Sequence, residues 1–261
     1  MNILITGARS NIGYNLAKLL SKRGHIVYVG CKSLLEKETL DERINHEKLI
    51  MFPICLNLLD NNFSIIDELD IDCLILHASI GNGGSILELS KDRFNEVIDV
   101  NIRGNFFLLQ KYLRYCYNKK KSGKVFITSS LAAFLPLPYL STYTSSKLYL
   151  YHLASTLRLE LLYQKLDVSI SLILPGAYHT GFNDLMIDNK ALDKYILKMK
   201  ALKISKYQKI MFSLIEKYDY NDLVRTVVRE IEKDKPKFII SRPVGEKIFT
   251  KVYILIKTLI V

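Results

Sequence analysis

The chain has 261 residues, 49 % of them hydrophobic and 24 % charged, with a formal net charge of +11. That length and apolar content suit one sizeable α/β domain over residues 1–261. No stretch reaches the ~20 apolar residues of a membrane span, no signal peptide precedes the first element, and no groove-entering reader turns the positive charge into a nucleic-acid footprint; a cytoplasmic protein with no nucleic-acid partner is expected.

A strand-like run at 2–6 opens the chain and leads into Thr6-Gly7-Ala8-Arg9-Ser10-Asn11-Ile12-Gly13. An amphipathic helix follows through Tyr14, Leu16, Ala17, Leu19 and Leu20 and stops at Gly24. Strand, glycine turn and helix make the frame in which backbone N–H groups at a helix start hold a pyrophosphate. An ordinary βα turn is the plainer alternative. Further strand-like runs at 26–30, 49–55, 72–77, 124–129, 168–174 and 237–241 alternate with helical patterns. Near-continuous apolar strands separated by helices predict a Rossmann-type, doubly wound, mainly parallel seven-stranded sheet with helices on both faces. Ligands then bind at the carboxyl ends of the strands.

Two helical patterns, 91–118 and 141–165, are apolar on more than one face. Phe106, Phe107, Leu109, Tyr112 and Leu113 mark the first; Leu148, Leu150, Tyr151, Leu153, Leu157 and Leu161 mark the second. A helix apolar beyond one stripe needs a second partner surface. Within the second helix, Tyr143 and Lys147 stand at i and i+4, one above the other on one face. A nearby cation favours a phenolate, so Lys147 is expected to pull the Tyr143 phenol down toward working pH. A phenol so tuned exchanges a proton with a carbonyl or alcohol oxygen. Ser130 ends the apolar run from Val125, where a hydroxyl steadies the same oxygen.

Residues 181–217 read as a substrate lid whose Phe182, Leu185, Met186, Ile187, Leu192, Tyr195 and Ile196 suggest an apolar pocket; plain helix packing is the alternative. The tail 247–261 is basic and amphipathic, suited to subunit packing or to contact with a membrane surface. Residues 190–261 hold 14 Lys and 3 Arg against 8 acids, so most of the positive charge lies there. Cys31, Cys55, Cys73 and Cys116 form no C-x-x-C pair and read as small buried hydrophobes. The five histidines show no metal-ligand spacing, so no metal is expected; His77 and His179 fall at strand ends near the expected site.

Taken together, these motifs resemble a short-chain dehydrogenase/reductase of the short single-domain branch. That family opens with Thr-Gly-x-x-x-Gly-x-Gly, matched here by Thr6, Gly7 and Gly13, with Asn11 in place of the middle glycine. Asn101 and Gly104 match its Asn-x-x-Gly, and Pro175, Gly176 and Thr180 its Pro-Gly-x-x-x-Thr. Of its Asn-Asn-Ala-Gly only Ala78 is kept, within Leu76-His77-Ala78-Ser79. Asn57, followed by Leu58, replaces an aspartate often found near the adenine.

The resemblance implies an oxidoreductase that interconverts a carbonyl and an alcohol by hydride transfer, with Asn101, Ser130, Tyr143 and Lys147 catalytic. It also implies a dinucleotide held by Gly7, Arg9, Ser10, Asn11, Ile12 and Gly13, by Asn57, Leu58 and Ala78, and by Tyr143, Lys147, Pro175, Gly176 and Thr180. Val27–Ser33 offers no carboxylate to a ribose, whereas Lys32 and Arg9 supply two cations for a 2′-phosphate, so NADP is expected ahead of NAD. An apolar small-molecule substrate and a homodimer or homotetramer built on the two long helices complete the expectation. A sugar-nucleotide epimerase or dehydratase with retained NAD, and a non-catalytic dinucleotide-sensing protein, are the rival readings.

Overall fold

All seven apolar runs become strands, with bounds within two residues of those predicted. The computed structural model describes the chain except residues 10, 48, 59–62, 88, 183–202, 204–205, 208, 211–212, 214–215 and 246–261, and the side chain of Cys55. Most of the expected lid and all of the expected tail therefore lie outside the described residues. β1 (Asn2–Thr6), β2 (Ile26–Cys31), β3 (Met51–Cys55), β4 (Cys73–Leu76), β5 (Gly123–Thr128), β6 (Val168–Pro175) and β7 (Ile239–Arg242) form one parallel sheet in the order β3-β2-β1-β4-β5-β6-β7.

Strand residues alternate between two buried faces, which is why the runs are almost wholly apolar. Ile3, Ile5, Val27, Val29 and Phe126 point to one face. There they meet α1 (Asn11–Lys22) and α7 (Asn221–Ile231) through Leu16, Leu20, Val224 and Val228. Leu4, Leu74, Val125 and Ile127 point to the other, against α5 (Asn105–Lys119) and α6 (Ser141–Gln164) through Leu108, Tyr112, Leu150 and Leu157. In chain order α2 (Leu34–His46), the short α3 (Ile65–Glu68) and α4 (Lys91–Ile98) come between α1 and α5. The chain runs outward from β1 to β3 and then returns to the far side of β1 as β4. That reversal opens a crevice at the carboxyl ends of β1 and β4, the place where such sheets bind ligands.

The single helix expected over 91–118 is instead two helices joined by a π-helical stretch, Asp99–Gly104. Apolar spacing does not reveal such a widened turn, because the residues on either side keep helical dihedrals. It serves to aim the buried Asn101 at the loop after β4, as described below. Of the apolar residues that mark these two helices, Leu109, Tyr112, Leu150, Leu157 and Leu161 face the core of the chain itself. The large apolar side chains left exposed on α5 and α6 include Phe107, Tyr117, Leu159, Leu162 and Tyr163. Cys31, Cys73 and Cys116 are buried, as their sequence surroundings suggest.

Candidate active site

β1 ends in a turn that only a glycine fits. Gly7 has a φ of 71°, and a Cβ there would stand 2.5 Å from the Ala78 Cα at the end of β4. The Thr6 hydroxyl accepts hydrogen bonds from the backbone N–H of His77 (3.1 Å) and of Ala78 (3.0 Å), lashing the two strand ends together. α1 starts at Asn11 with no acidic residue in its first turn, so its positive end has no internal counter-charge. Gly13, in that first turn, packs so closely that a Cβ would lie 2.8 Å from both the Gly7 oxygen and the His77 ring.

β5 ends in Thr128, followed by Ser129 and Ser130. The Ser130 hydroxyl accepts the Ala132 N–H (3.1 Å) and so caps the short 3-10 turn Leu131–Phe134. Tyr143 and Lys147 lie in the first two turns of α6, both buried. The Lys147 ammonium donates to the Thr128 carbonyl (3.1 Å) and lies 5.8 Å from the Tyr143 ring centre. The Ser129 hydroxyl donates to the Lys147 carbonyl (2.6 Å), fixing α6 against the end of β5. Asn101 is fully buried: its amide accepts from the Ile80 N–H (2.9 Å) and donates to the Ile80 carbonyl (2.9 Å) and to the Ser146 hydroxyl (3.0 Å).

These pieces face one cleft of about 550 Å³. One end is walled by Arg9, Lys32, Asn57 and Leu58, the other by Ser130, Tyr143, Lys147 and Phe182. Gly7, Asn11, Ile12 and Ala78 line it between, Pro175, Gly176 and Thr180 line it after β6, Gly13 and Asn101 are not among its lining residues, and Ser10 is outside the described residues. An elongated cleft with a glycine turn and a helix start at its middle, cations at one end and a phenol at the other has the donor set of a dinucleotide site. The residues present fit such a group.

The expected direction of the Tyr143 shift is corrected by the structure. Burial pushes the phenol up to about 12, opposed only in part by its hydrogen bond with Ser130. Burial also brings Lys147 down to about 7. In this water-poor corner the cost of desolvating a phenolate exceeds the help of an ammonium already committed to the Thr128 carbonyl. The phenol therefore carries its proton throughout the physiological range.

One residue at the site, Glu36, was not legible as such, whereas His77 falls near it as its strand end suggests. Glu36 lines the cation end of the cleft, close to Arg9 (3.4 Å) and accepting the Lys32 N–H (3.0 Å). Its signal is the capping pattern Ser33-x-x-Glu36 at the start of α2, where the Ser33 hydroxyl accepts the Glu36 N–H. His77 lines the middle of the cleft, its Nδ1 3.1 Å from the Thr128 hydroxyl, and burial beside Lys147 brings it down to about 4, so the ring is neutral. His179, the other histidine at a strand end, turns away instead and pairs with Glu216 (3.0 Å). Of the apolar lid residues, Phe182 is described, and its ring lies 5.6 Å from that of Tyr143.

A family model described as short chain dehydrogenase matches residues 1–191. The 3-ketodihydrosphingosine reductase of Bacteroides thetaiotaomicron is 28 % identical over 185 residues, covering 70 % of this chain and 65 % of that protein. Human dehydrogenase/reductase SDR family member 2, mitochondrial, is 27 % identical over 199 residues, covering 73 % and 70 %. A crystal structure of a short chain dehydrogenase/reductase from Burkholderia phymatum in complex with NAD superposes with a TM-score of 0.80 at 17 % identity, covering 96 % of this chain and 91 % of that one.

The Lys147 shift has a measurable sign. An unfolded lysine keeps its proton to about pH 10, whereas the folded one loses it near 7. Between those values the unfolded state binds more protons, so stability rises with pH across that window. Urea melts of the ligand-free protein from pH 7 to 10 are expected to show this rise, and Lys147→Met to lack it. Equal pH slopes for the two proteins would refute the assignment.

Proposed function

Because the chain belongs to the short-chain dehydrogenase family, we propose that it interconverts a carbonyl and an alcohol on an apolar substrate, as one domain, with Tyr143 as the acid and base. The observation that carries this reading is the meeting of Ser130, Tyr143 and Lys147 at the end of β5, in one cleft with the glycine turn of β1. A nicotinamide dinucleotide bound there supplies or accepts the hydride at the substrate carbon. Gly7, Asn11, Ile12 and Gly13 would hold its phosphates on backbone N–H groups. Asn57, Leu58 and Ala78 would flank the adenosine half, and Pro175, Gly176 and Thr180 the nicotinamide.

In the reducing direction Tyr143 gives its proton to the substrate oxygen as negative charge grows there, and Ser130 donates a hydrogen bond to the same oxygen. Lys147, which titrates near 7, is favoured as the ammonium once the phenolate forms, taking any proton it lacks from solvent, and in that state it stabilises the phenolate. Asn101 acts by position: it fixes the loop after β4 and, through Ser146, the first turn of α6. Phe182, with Leu137, Leu140 and Ala132, surrounds the Tyr143 ring with apolar groups, which supports an apolar substrate. The name of the Bacteroides relative, for a keto sphingoid base, supports the same reading.

Tyr143→Phe keeps the ring and removes the proton. Followed at the nicotinamide absorbance over a screen of ketones and alcohols, turnover should fall by about 10²–10⁴-fold, the scale of a lost proton-transfer group, with cofactor binding retained. Parent-rate turnover by that variant would end the assignment. Lys32 and Arg9 at the cation end of the cleft support NADP(H) over NAD(H). Fluorescence titration of both cofactors should give the lower Kd for NADP(H), and the reverse order would overturn this preference. The exposed Phe107, Leu159, Leu162 and Tyr163 on α5 and α6 support a homodimer or homotetramer. Light scattering at micromolar concentration should give at least twice the chain mass; a monomer would contradict it.

A further inference from the structure

We infer that Glu36 sets the margin between the two cofactors, as an acid built into the pocket that competes with a 2′-phosphate for Arg9 and offers a hydroxyl acceptor in its place. The inference rests on the reading of the cleft as a dinucleotide site. Glu36 stands in the first turn of α2, and both of its oxygens are engaged. Oε2 accepts the Lys32 N–H at 3.0 Å, and Oε1 is 3.4 Å from the Arg9 guanidinium. One carboxylate thus bridges the turn after β1 and the turn after β2, the two segments that carry the pocket's cations.

Exposure decides which partner of the ion pair can leave. The Arg9 side chain is 74 % exposed, and that of Glu36 only 19 %. An exposed arginine gives up such a pair at little cost. The carboxylate, by contrast, is held by its place in the helix start, where it accepts the Lys32 N–H. A cofactor carrying a 2′-phosphate can therefore recruit Arg9, but it must accept a fixed negative charge beside its own. A cofactor with a free 2′-hydroxyl meets no such repulsion and finds an acceptor, the same service that a carboxylate after the second strand gives in other dinucleotide sites. Lys32 and Arg9 thus favour the phosphate, and Glu36 limits by how much.

The test compares the Kd of NADPH and of NADH, measured by fluorescence titration, in the parent protein, in Glu36→Gln, and in Glu36→Gln combined with Arg9→Gln. Glutamine retains an oxygen for the Lys32 N–H, so the start of α2 survives, and a thermal melt checks that it does. The Kd ratio is expected to move at least tenfold toward NADPH in Glu36→Gln, the scale of one like charge removed from a partly solvated site. Adding Arg9→Gln should cancel most of that gain, since the released partner is then absent. A ratio within twofold of the parent, or an equal change for both cofactors, would overturn the inference and leave the dinucleotide site intact. If the parent binds neither cofactor, the reading of the cleft fails and this inference with it.

Discussion

One buried side chain holds the site in register. Asn101 lies in a π-helical turn with no exposed surface, and its amide saturates both the N–H and the carbonyl of Ile80. The same amide donates to Ser146, whose hydroxyl donates to the Tyr143 carbonyl (2.7 Å). A buried polar group is tolerable only when it is fully paired, because an orphaned donor or acceptor costs the free energy of its lost hydration. That penalty makes the arrangement nearly all-or-none. The loop after β4, the junction of α4 with α5, and the first turn of α6 are fixed to one another through this one amide, and the phenol inherits its place from them.

The second constraint is dielectric. Tyr143 and Lys147 are packed where water is scarce, and each is pushed toward its neutral form. Such a pair is poised rather than charged at rest. Charge on either group is costly in lost hydration, and an opposite charge on its neighbour offsets that cost only in part. At neutral pH the phenol holds its proton and the amine stands near its titration point. His77, neutral and wedged between the turn at Gly13 and Thr128, adds bulk to this corner without adding charge.

Much of the architecture was legible from periodicity alone, because a parallel sheet buried on both faces demands apolar runs that polar helices interrupt. Ile3 to Ile5 and Val125 to Ile127 are strands on that ground, and the residues that end them fall at the cleft. Three features were not legible. The π-turn at Asp99–Gly104 leaves no trace in apolar spacing, since Val97 and Leu108 on either side of it are both buried as a continuous helix would have them. Glu36 escapes a search confined to the strand and its first residues, because the helix start folds it back over Lys32. The direction of the Tyr143 shift depends on burial by residues distant in sequence, such as Leu140 and Phe182, and an i,i+4 spacing carries no information about water.

The contact between Gly7 and Ala78 has a bearing on how this site can change over generations. A side chain on Gly7 would run into the Ala78 backbone itself, so no smaller residue at 78 makes room for it. Position 7 is closed to substitution unless the whole strand end retreats, and the two threonine-bound amides at 77 and 78 hold that end in place. Positions 76, 77 and 79 are under no such veto, and there the chain departs from the sequence it otherwise resembles. Change at this site is therefore channelled: a side chain at position 7 is barred by the main chain it would meet, a bar that does not apply at the positions flanking Ala78.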